Sequence, residues 1–471
     1  MMRTSFSFRT IDAENKKPAS LQKIQLRPHD IVYVELTGFK SIAKKTRVNL
    51  SPLTIFSGAN SSGKSSVSQA ILLLKQTNEA AYDPGALLLN GPNVKLTSAT
   101  QLLSQLPEIS SKKFTVKFGF HNEGSLELSY RSDPNKPGGV DINSVKQVLQ
   151  SGEVIRISSK STQAELLNAL LSSLPDGFRD FYNELMSKNQ VRLKRNRCFY
   201  QVSSGTSSNN EFVEKMGTSF GFPDDNAFLE QLIHVPGLRG NPERTYATTA
   251  TGSGNYPGRF ENYVASLISD WEVNDHDKFK RLTQNLIDLG LTSEIKTNKI
   301  DDTQVEIKVS RFKSSCEHQG NSHLVSIADV GFGVSQVLPI LVALNAAQVG
   351  QYVIIEQPEL HLHPKAQNKL GGLLAEAMHR GVRIIIETHS NILIQGIQTL
   401  VAQDEILHEN TALNWFETTD EGYTKVTRGS FDALGAFGSW PADFMDIQLN
   451  SEARYLDAVE QKIVAKFNNE E

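Results

Sequence analysis

The sequence predicts an α/β fold in which a mixed sheet with flanking helices is interrupted by a large helical and β-rich insertion. Three observations predict it. A short apolar run at 53–58 ends in a glycine-bearing loop and is followed by a helical pattern over 65–76. A rhythm of strands and helices returns over 335–400. Between them, residues 113–132 alternate around a polar Asn-Glu-Gly turn, which is typical of an antiparallel hairpin.

The composition is that of a globular protein. The chain has 471 residues, of which 39% are hydrophobic and 21% charged, and these values exclude a mostly disordered or fibrous protein. The net charge of -4 argues against a protein that coats nucleic acid with its whole surface. Cys198 and Cys316 lie outside any metal-ligand spacing. No signal peptide or membrane-spanning run is present in the sequence, so we expect a cytoplasmic protein without a membrane partner.

The order of the patterns predicts four segments. They are a polar N-terminal extension (1–30), an N-terminal lobe (31–130), an insertion or lid (131–325) and a C-terminal lobe (326–471). Within the insertion, leucines and aromatic residues over 162–189 have helical spacing, interrupted at Pro175. Two more helical stretches are predicted over 255–291. The sequence has no sustained heptads, so we expect no long coiled coil.

Residues 58–65 read Gly-Ala-Asn-Ser-Ser-Gly-Lys-Ser and satisfy the full P-loop pattern between a predicted strand and a predicted helix. In such a loop the glycines let backbone N–H groups surround the phosphates of ATP, Lys64 places a cation against the outer phosphates, and the Ser65 hydroxyl ligates Mg²⁺. A chance match in a Ser- and Gly-rich turn is the alternative. The predicted nucleotide-binding residues are Gly58, Asn60, Ser61, Ser62, Gly63, Lys64, Ser65 and Ser66.

Two apolar strands in the second half decide which class of P-loop protein is present. Residues 353–356 end in a carboxylate, as a Walker B strand does, and residues 384–390 deliver His389 at the tip of a second strand. Taken alone, His389 is more simply a satisfied histidine at a strand end. In this context it suits a γ-phosphate sensor. The predicted catalytic residues are Glu356, Gln357, Glu359 and His389, and the predicted Mg²⁺ ligands are Ser65 and Glu356.

The P-loop, the Glu-Gln-Pro-Glu-Leu-His-Leu-His-Pro block at 356–364 and the Glu-Thr-His-Ser strand end at 387–390 together resemble the SMC-like AAA/ABC-type ATPases. That group includes the overcoming-lysogenisation-defect family and bacterial antiphage-defence ATPases. The resemblance extends to residues 234–240 with Arg244 and to Trp440, Pro441 and Phe444. It implies an ABC-ATPase-like core in which two subunits sandwich two ATP molecules. Each nucleotide is then held by one subunit's P-loop and the other subunit's signature loop.

The signature loop implied by this resemblance lies at 329–336, just before a predicted helix. Its candidate nucleotide contacts are Gly331, Gly333 and Ser335. A helix N-terminus and glycine backbone can donate N–H groups to a γ-phosphate across an interface. Gly331 stands where the family's loop has serine. The alternative is a glycine-rich turn that caps a buried helix.

Gln357 stands where the family carries a second acidic residue, which orients the attacking water. Glutamine can hold a water molecule by hydrogen bonding but cannot accept its proton. We therefore expect slow hydrolysis unless Glu359 or the phosphate itself serves. Two alternatives stay open: glutamine is an accepted variant with normal turnover, or the protein is an ATP-binding scaffold with negligible turnover that holds a toxin or nuclease.

Other charged residues give weaker signals. An alternating stretch presents either a basic face to nucleic acid or a solvated strand face, and it contains Arg192, Lys194, Arg195 and Arg197. Arg239 and Arg244 lie beside prolines, either near the nucleotide interface or in local turn ion pairs. His361 and His363 mimic a metal pair, but the resemblance implies that this block packs across a dimer.

The expected function is that of an ATP- and Mg²⁺-binding ATPase that forms a homodimer or higher oligomer on ATP. It would control a separate effector, a nuclease or toxin, in antiviral defence or DNA maintenance, with DNA as a further candidate partner. Proteins of the resembled group often carry a C-terminal Toprim nuclease with clustered Asp and Glu, whereas the roughly eighty residues after His389 read as a helix, a hairpin and an amphipathic end. The resemblance therefore implies a separate effector. The long insertion and loose signature loop disfavour a transporter subunit. The lack of heptads disfavours a repair ATPase with coiled-coil arms.

Overall fold

The computed structural model describes residues 23–437 together with 454 and 456–460. Within that span, the description leaves out residues 107–108, 123, 175–176, 178, 180–189, 209–210, 224–225, 253 and 312–323. Most of the predicted N-terminal extension and the tail motif with Trp440, Pro441 and Phe444 therefore lie outside the described residues. In the described part the fold is mixed α/β, as predicted. Its longest helix has 16 residues, so that part contains no long coiled coil.

The described helices are α1 (Lys64–Asn78), α2 (Gln163–Ser172), α3 (Ala227–Gln231), α4 (Glu261–Asn274), α5 (His276–Asp288), α6 (Phe332–Ala346), α7 (Pro364–His379) and α8 (Asn391–Ala402). None of them is long and apolar enough to cross a membrane. The described strands are β1 (Ile31–Thr37), β2 (Thr46–Asn49), β3 (Leu53–Gly58), β4 (Gln105–Leu106), β5 (Ile109–Ser110), β6 (Lys113–Phe120), β7 (Ser125–Ser132), β8 (Val140–Val148), β9 (Val154–Ile157), β10 (Gln190–Asn196), β11 (Phe199–Ser208), β12 (Glu211–Phe220), β13 (Ile233–Val235), β14 (Tyr246–Ala247), β15 (Ile295–Lys299), β16 (Gln304–Ser310), β17 (Leu324–Ser326), β18 (Tyr352–Glu356), β19 (Arg383–Glu387), β20 (Thr411–Thr418) and β21 (Thr424–Gly429).

The central six-stranded sheet has the order β13-β18-β19-β3-β20-β21, and its neighbours are parallel except for the antiparallel pair β20 and β21. Its inner strands are almost wholly apolar because both of their faces are buried. Alternate residues enter two different cores. Leu53 and Ile55 of β3 pack in the core that contains α6, α7 and α8, whereas Phe56 packs in the core that contains α1. The strand and helix rhythm predicted over 335–400 is confirmed by α6, β18, α7, β19 and α8.

Helix α1 is buried on almost all sides, since 13 of its 15 residues are buried. It shares one core with the central sheet and with a second, antiparallel sheet of order β2-β1-β6-β7-β8-β9. The hairpin predicted at 113–132 is the β6 and β7 pair of that sheet. The boundary predicted at residue 130 falls inside this sheet, because β8 and β9 extend it to Ile157. Turn residues stand before both strands, Pro and Gly within 133–139 and Ser-Gly at 151–152, so a signal for them was available in the sequence.

The middle of the chain contains both helices and small sheets. Helix α2 confirms the start of the helical spacing predicted over 162–189, and a capping box between Thr162 and Glu165 fixes its first turn. Most of 175–189 lies outside the described residues. Strands β10, β11 and β12 form a three-stranded sheet, and β14, β15, β16 and β17 form another. Helices α4 and α5 confirm the helical stretches predicted over 255–291.

A buried ion pair fixes the segment before β1 to the middle of the central sheet. The Asp30 side chain is fully buried and accepts hydrogen bonds from Arg383 Nε at 3.2 Å and Nη2 at 2.5 Å. The Arg27 backbone N–H also donates to the Asp30 carboxylate, at 2.8 Å. Because Arg383 begins β19, this pair sets where that strand starts relative to the antiparallel sheet.

We expect Asp30→Ala to destabilise the protein by about 3 kcal/mol or more, because the substitution leaves the Arg383 cation buried without its carboxylate. The measurement is the midpoint of urea unfolding followed by circular dichroism. Glu421→Ala is the matched control, since it removes the carboxylate of an exposed pair with Lys44 and should leave the midpoint unchanged. Equal midpoints for wild type and Asp30→Ala would contradict the structural role of the pair.

Candidate functional site

The P-loop follows β3, and its backbone conformation needs glycine at two positions. Gly58 has φ 141° and Gly63 has φ 97°, both in the region that favours glycine. A Cβ atom on Gly58 would lie 2.0 Å from the carbonyl oxygen of Phe416 in β20. A Cβ atom on Gly63 would lie 2.2 Å from the hydroxyl of Thr424 in β21. Both glycines are therefore required by the close approach of the C-terminal hairpin.

That hairpin also holds the loop by a hydrogen bond. The Thr424 hydroxyl donates to the Ser62 carbonyl at 2.8 Å and lies 2.8 Å from the Ser41 hydroxyl. Asn60 and Ser61 are exposed at the tip of the loop, and Ser62 and Ser66 are buried beneath it. The loop is thus braced from below while its tip stays accessible.

Lys64 begins α1, and its side chain turns back into the loop. Its Nζ donates to the carbonyl oxygens of Gly58 at 3.0 Å and Ala59 at 2.6 Å. Burial lowers the pKa of Lys64, and the nearby Glu387 and Glu359 carboxylates oppose that change. The cation therefore lies inside the ring of backbone groups that a P-loop offers to phosphates.

Two glutamates end neighbouring strands at the carboxyl edge of the central sheet. Glu356 of β18 is in register with Glu387 of β19, and Glu387 is in register with Phe56 of β3. Since β19 lies between the other two strands, Glu387 is one strand from the P-loop and Glu356 is two. The Ser65 hydroxyl donates to Glu387 Oε1 at 2.5 Å.

Glu387 is 4% exposed, and its second carboxylate oxygen is buried without a hydrogen-bond partner. Burial raises the pKa of Glu387 to about 7, and the charge of Glu356 acts in the same direction. The hydrogen bond from Ser65 and the charge of Lys64 partly offset that rise. Sequence reasoning did not include Glu387 among the site residues, although it heads the Glu-Thr-His-Ser block. An acidic residue at the end of an otherwise apolar strand was the available signal.

Both carboxylate oxygens of Glu356 have hydrogen-bond partners. Its Oε1 lies 3.1 Å from His234 Nε2, and its Oε2 accepts from the Gly237 N–H at 3.1 Å. Burial acts to raise the pKa of Glu356, but His234, the Gly237 N–H and Arg239 outweigh it and hold that pKa below its usual value. His234 was also missed as a site residue. It follows the first apolar residue of β13, the edge strand that pairs with β18.

Gln357 has a constrained backbone. Its φ is 45°, in the left-handed region that non-glycine residues seldom adopt. Its N–H donates to the Glu387 carbonyl at 2.6 Å, and its own carbonyl accepts from Arg239 at 3.0 Å. Strain of this kind is concentrated at functional sites, and Ser61 in the P-loop has φ 61° as well. The backbone of Gln357 is therefore held by β19 on one side and by Arg239 on the other.

Glu359 and His389 meet at the same edge of the sheet. The His389 backbone N–H donates to Glu359 Oε1 at 2.8 Å, and Glu359 Oε2 is buried without a partner. Burial and the charge of Lys64 lower the pKa of His389, against a hydrogen bond with the Gly58 backbone. At neutral pH its imidazole is therefore uncharged and lies beside the P-loop.

Arg239 joins three parts of the site through backbone carbonyls. Its guanidinium donates to Pro236 at 3.0 Å, to Gln336 at 2.9 Å, and to Glu356 and Gln357 at 2.7 and 3.0 Å. It is 8% exposed, and burial lowers its pKa to about 10, so it stays charged at neutral pH. Arg239 therefore positions the site from within its own subunit, and its cation is already fully engaged.

The signature-like loop leads into α6. Gly331 is the N-cap residue of this helix, and Phe332 is 51% exposed. The Ser335 hydroxyl donates to the Phe332 carbonyl at 3.0 Å. Gly333 approaches the following block of the chain, because a Cβ atom there would lie 3.4 Å from the His361 carbonyl. The first N–H groups of α6 thus lie at the surface, as the ends of helices leave them without helical partners.

The remaining charged candidates also have partners. Arg244 forms two hydrogen bonds to Asp329, at 3.1 and 2.8 Å, which joins its loop to the start of the signature-like loop 85 residues further along the chain. The His361 ring packs 6.0 Å from the Phe332 ring. His363 caps α7 by accepting from the Lys365 N–H at 3.3 Å. Both histidines therefore have structural contacts.

The basic stretch does not form one face. Arg192 and Lys194 point outward from β10, and Arg192 lies over the Phe212 ring at 4.3 Å. Arg195 points the other way and pairs with Asp83 at 2.6 and 2.7 Å, while Arg197 donates to the Asn78 carbonyl at the end of α1. Arg192 and Lys194 therefore lie on one side of β10 and Arg195 on the other, because side chains of a strand alternate between its two sides, and this arrangement favours the solvated strand face over a single basic face.

The residues present fit ATP and Mg²⁺. The donors are the P-loop backbone, the Lys64 cation and the Ser65 hydroxyl, and the unpaired oxygen of Glu387 is buried beside that hydroxyl. In the described part of the chain, no group of three or more His, Cys, Asp and Glu side chains is placed to hold a metal ion. An ion bound through one or two protein oxygens and nucleotide phosphates matches the usual preference of Mg²⁺.

Comparisons with known proteins agree with this site. Residues 30–219 match the family model described as "AAA ATPase domain", and residues 240–395 match the one described as "AAA domain, putative AbiEii toxin, Type IV TA system". No curated protein matches the chain significantly. Both matched segments therefore carry AAA-type ATPase domain sequences, one with the P-loop and one with Glu356 and His389.

Three solved structures are similar to the chain. The first is an SmcHead bound to the C-winged helix domain of ScpA, with 14% identity, 86% of this chain and 98% of that chain covered, and a TM-score of 0.43. The second is the SMC head domain from Thermotoga maritima, with 11% identity, coverage of 85% and 98%, and a TM-score of 0.37. The third is an Smc head domain with an extended coiled coil bound to the C-terminal domain of ScpA derived from Pyrococcus furiosus, with 12% identity, coverage of 92% and 99%, and a TM-score of 0.39.

We expect Lys64→Ala to abolish ATP binding without unfolding the protein. The Lys64 cation binds the phosphates of ATP, and its removal also removes the free-energy cost of burying a charge in the protein. Calorimetric titration with ATP measures the binding, and circular dichroism verifies the fold. Lys45→Ala is the control, since Lys45 forms an exposed ion pair with Glu35 on the antiparallel sheet. A folded Lys64→Ala variant with unchanged ATP affinity would remove the P-loop from the site.

Proposed function

We propose that this protein is an ABC-type ATPase that dimerises on ATP and, in its ATP-bound state, controls a separate effector protein in antiviral defence or DNA maintenance. One observation carries the proposal. The signature-like helix N-terminus is exposed at Gly331 and Phe332, and Arg239 ties the same helix to the end of the Walker B strand. A subunit with this arrangement presents the N-terminus of α6 to the phosphates of an ATP molecule that a second copy binds.

Two apolar side chains beside this edge support a contact with a second subunit. Leu238 is 92% exposed and lies in the loop that Arg239 anchors, and Phe332 is half-exposed at the start of α6. A closing dimer would cover both side chains, which gives the nucleotide contact an apolar component. The resemblance to ATPases that sandwich two nucleotides between subunits points to the same arrangement.

Within each site the residues divide the work of hydrolysis. The P-loop N–H groups and Lys64 bind the phosphates, Ser65 and a strand-end carboxylate hold Mg²⁺, and the neutral His389 can donate a hydrogen bond to the γ-phosphate. When bound, Mg²⁺ neutralises charge on the phosphates. Gln357 orients water by hydrogen bonding. Glu359 has an unpaired carboxylate oxygen and is the second candidate for that task.

Absence of a proton acceptor at Gln357 makes the ATP-bound state long-lived. A lost general base slows the reaction on the order of a hundred-fold, which corresponds to about 3 kcal/mol of barrier. A long-lived closed state suits a switch that retains a partner. The description of the model that matches 240–395 names a putative toxin of a toxin–antitoxin system, which supports defence as the setting. A phage challenge of cells that carry wild type or Lys64→Ala, together with the neighbouring genes, tests that setting.

The second candidate function is an ATP-binding scaffold with negligible turnover. Gln357 favours it, because the residue next to the Walker B carboxylate cannot accept a proton. A steady-state assay of phosphate release distinguishes the two functions. Turnover that depends on Lys64 supports the ATPase, and ATP binding without measurable turnover supports the scaffold.

We expect ATP with Mg²⁺ to convert the wild-type protein from monomer to dimer, and Gly331→Asp to stay monomeric while it binds ATP normally. A Cβ atom at Gly331 meets no atom within 4 Å, and aspartate is a favourable N-cap residue, so the fold should be retained. Its charge would repel the γ-phosphate of the partner. Gly331→Asn is the matched neutral control and should dimerise. Light scattering measures the mass; a Gly331→Asp dimer in ATP would exclude this loop from the interface.

We expect Gln357→Glu to raise the single-turnover hydrolysis rate by about a hundred-fold and to shorten the lifetime of the ATP dimer. Glu359→Gln should leave the wild-type rate unchanged if Gln357 alone orients the water. Rapid-quench measurement with labelled ATP gives both rates. If wild type already turns over briskly, the glutamate variant is no faster and Glu359→Gln is slow, then Glu359 is the water-orienting residue.

A further inference from the structure

We propose that Glu387, at the end of β19, is the carboxylate that holds Mg²⁺ with Ser65, and that Glu356 positions the site without holding the ion. This inference rests on the proposed function, since it concerns the metal that accompanies ATP. It assigns the metal-binding carboxylate to the strand that carries His389. The pattern of the sequence had assigned it to the Walker B strand.

The sheet order places Glu387 nearer to the P-loop. Strand β19 pairs directly with β3, whereas β18 pairs with β19 on its far side. Neighbouring strands lie about 4.8 Å apart, so the Glu356 backbone is roughly twice as far from β3 as the Glu387 backbone. The two glutamates are in register, so they lie at the same level along the strands, and only their distances across the sheet from β3 differ.

The hydrogen bonds of the two carboxylates lead to the same conclusion. Both oxygens of Glu356 are occupied, one by His234 and one by the Gly237 N–H. Glu387 binds the Ser65 hydroxyl through one oxygen, and its other oxygen is buried without a partner. A buried carboxylate oxygen without a hydrogen bond carries a large desolvation cost. A cation beside Ser65 would remove that cost.

Glu359 also has an unpaired buried oxygen, but its contacts place it elsewhere. Its other oxygen accepts the backbone N–H of His389, the residue that follows β19 by two positions. Glu387 is the carboxylate that bonds to the P-loop hydroxyl in the described residues. The ion is thereby assigned to Glu387, and Glu359 stays the second candidate for orienting water.

The test compares ATP affinity with Mg²⁺ and with EDTA, measured by calorimetric titration, in wild type, Glu387→Gln, Glu356→Gln and Glu359→Gln. We expect wild type to bind ATP more tightly with Mg²⁺. Glu387→Gln should lose that gain, by about ten-fold or more. In EDTA it should bind ATP at least as tightly as wild type, because the substitution removes a negative charge near the phosphates. Glu356→Gln and Glu359→Gln should keep the gain.

These readouts separate a metal ligand from a residue that only supports the loop. A collapsed P-loop would weaken binding in EDTA as well, and that result in Glu387→Gln would overturn the assignment. Loss of the Mg²⁺ gain in Glu356→Gln would overturn it too, whatever Glu387→Gln does, as would full retention of the gain in Glu387→Gln. If Glu387→Gln does not fold, Glu387→Asp replaces it and should reduce the gain by shortening the reach of the carboxylate.

A wild type that binds no ATP in either buffer would refute the proposed function itself, whereas one that binds ATP equally in both would refute this inference alone.

Discussion

The position of β19 between β3 and β18 is the constraint on which the rest of the site depends. Parallel pairing aligns the carboxyl ends of all three strands, so the P-loop, Glu387 and Glu356 emerge at one edge without further arrangement. The buried pair of Asp30 and Arg383 fixes the other end of β19. A shift of this strand by one residue would turn Glu387 away from Ser65 and exchange its apolar side chains between the two cores.

Around that edge, backbone groups rather than flexible side chains set the geometry. Arg239 binds carbonyl oxygens from the β13 loop, from α6 and from the end of β18, which makes these elements move together. His234 of β13 and the Gly237 N–H of the loop that follows add two contacts to Glu356. The first turns of α6 and the backbone of Gln357 are therefore bound to the same guanidinium group.

Much of the core was predictable because it depends on local patterns. The P-loop, the strand and helix rhythm after residue 335 and the β6 and β7 hairpin each follow from periodicity and turn residues. The partners of Ser65 and Glu356 were not predictable, since they depend on which strands become neighbours across 322 residues of sequence for Ser65 and Glu387 and 122 for Glu356 and His234. For the basic stretch the sequence left a nucleic-acid face and a solvated strand face open, and the alternation that places Arg192 and Arg195 on opposite sides favours the solvated face.

The bracing of the P-loop by β20 and β21 has a consequence for how the protein is made. Gly58 fits closely against Phe416, and Ser62 is held by Thr424, so a loop near the start of the chain needs residues that the ribosome adds more than 350 positions later. Until that hairpin is synthesised, β3 lacks one of its two neighbours in the sheet. A nascent chain would therefore present the phosphate-binding sequence without a formed loop. Nucleotide capture becomes one of the last steps of maturation, and the slow closure of such distant contacts sets its pace.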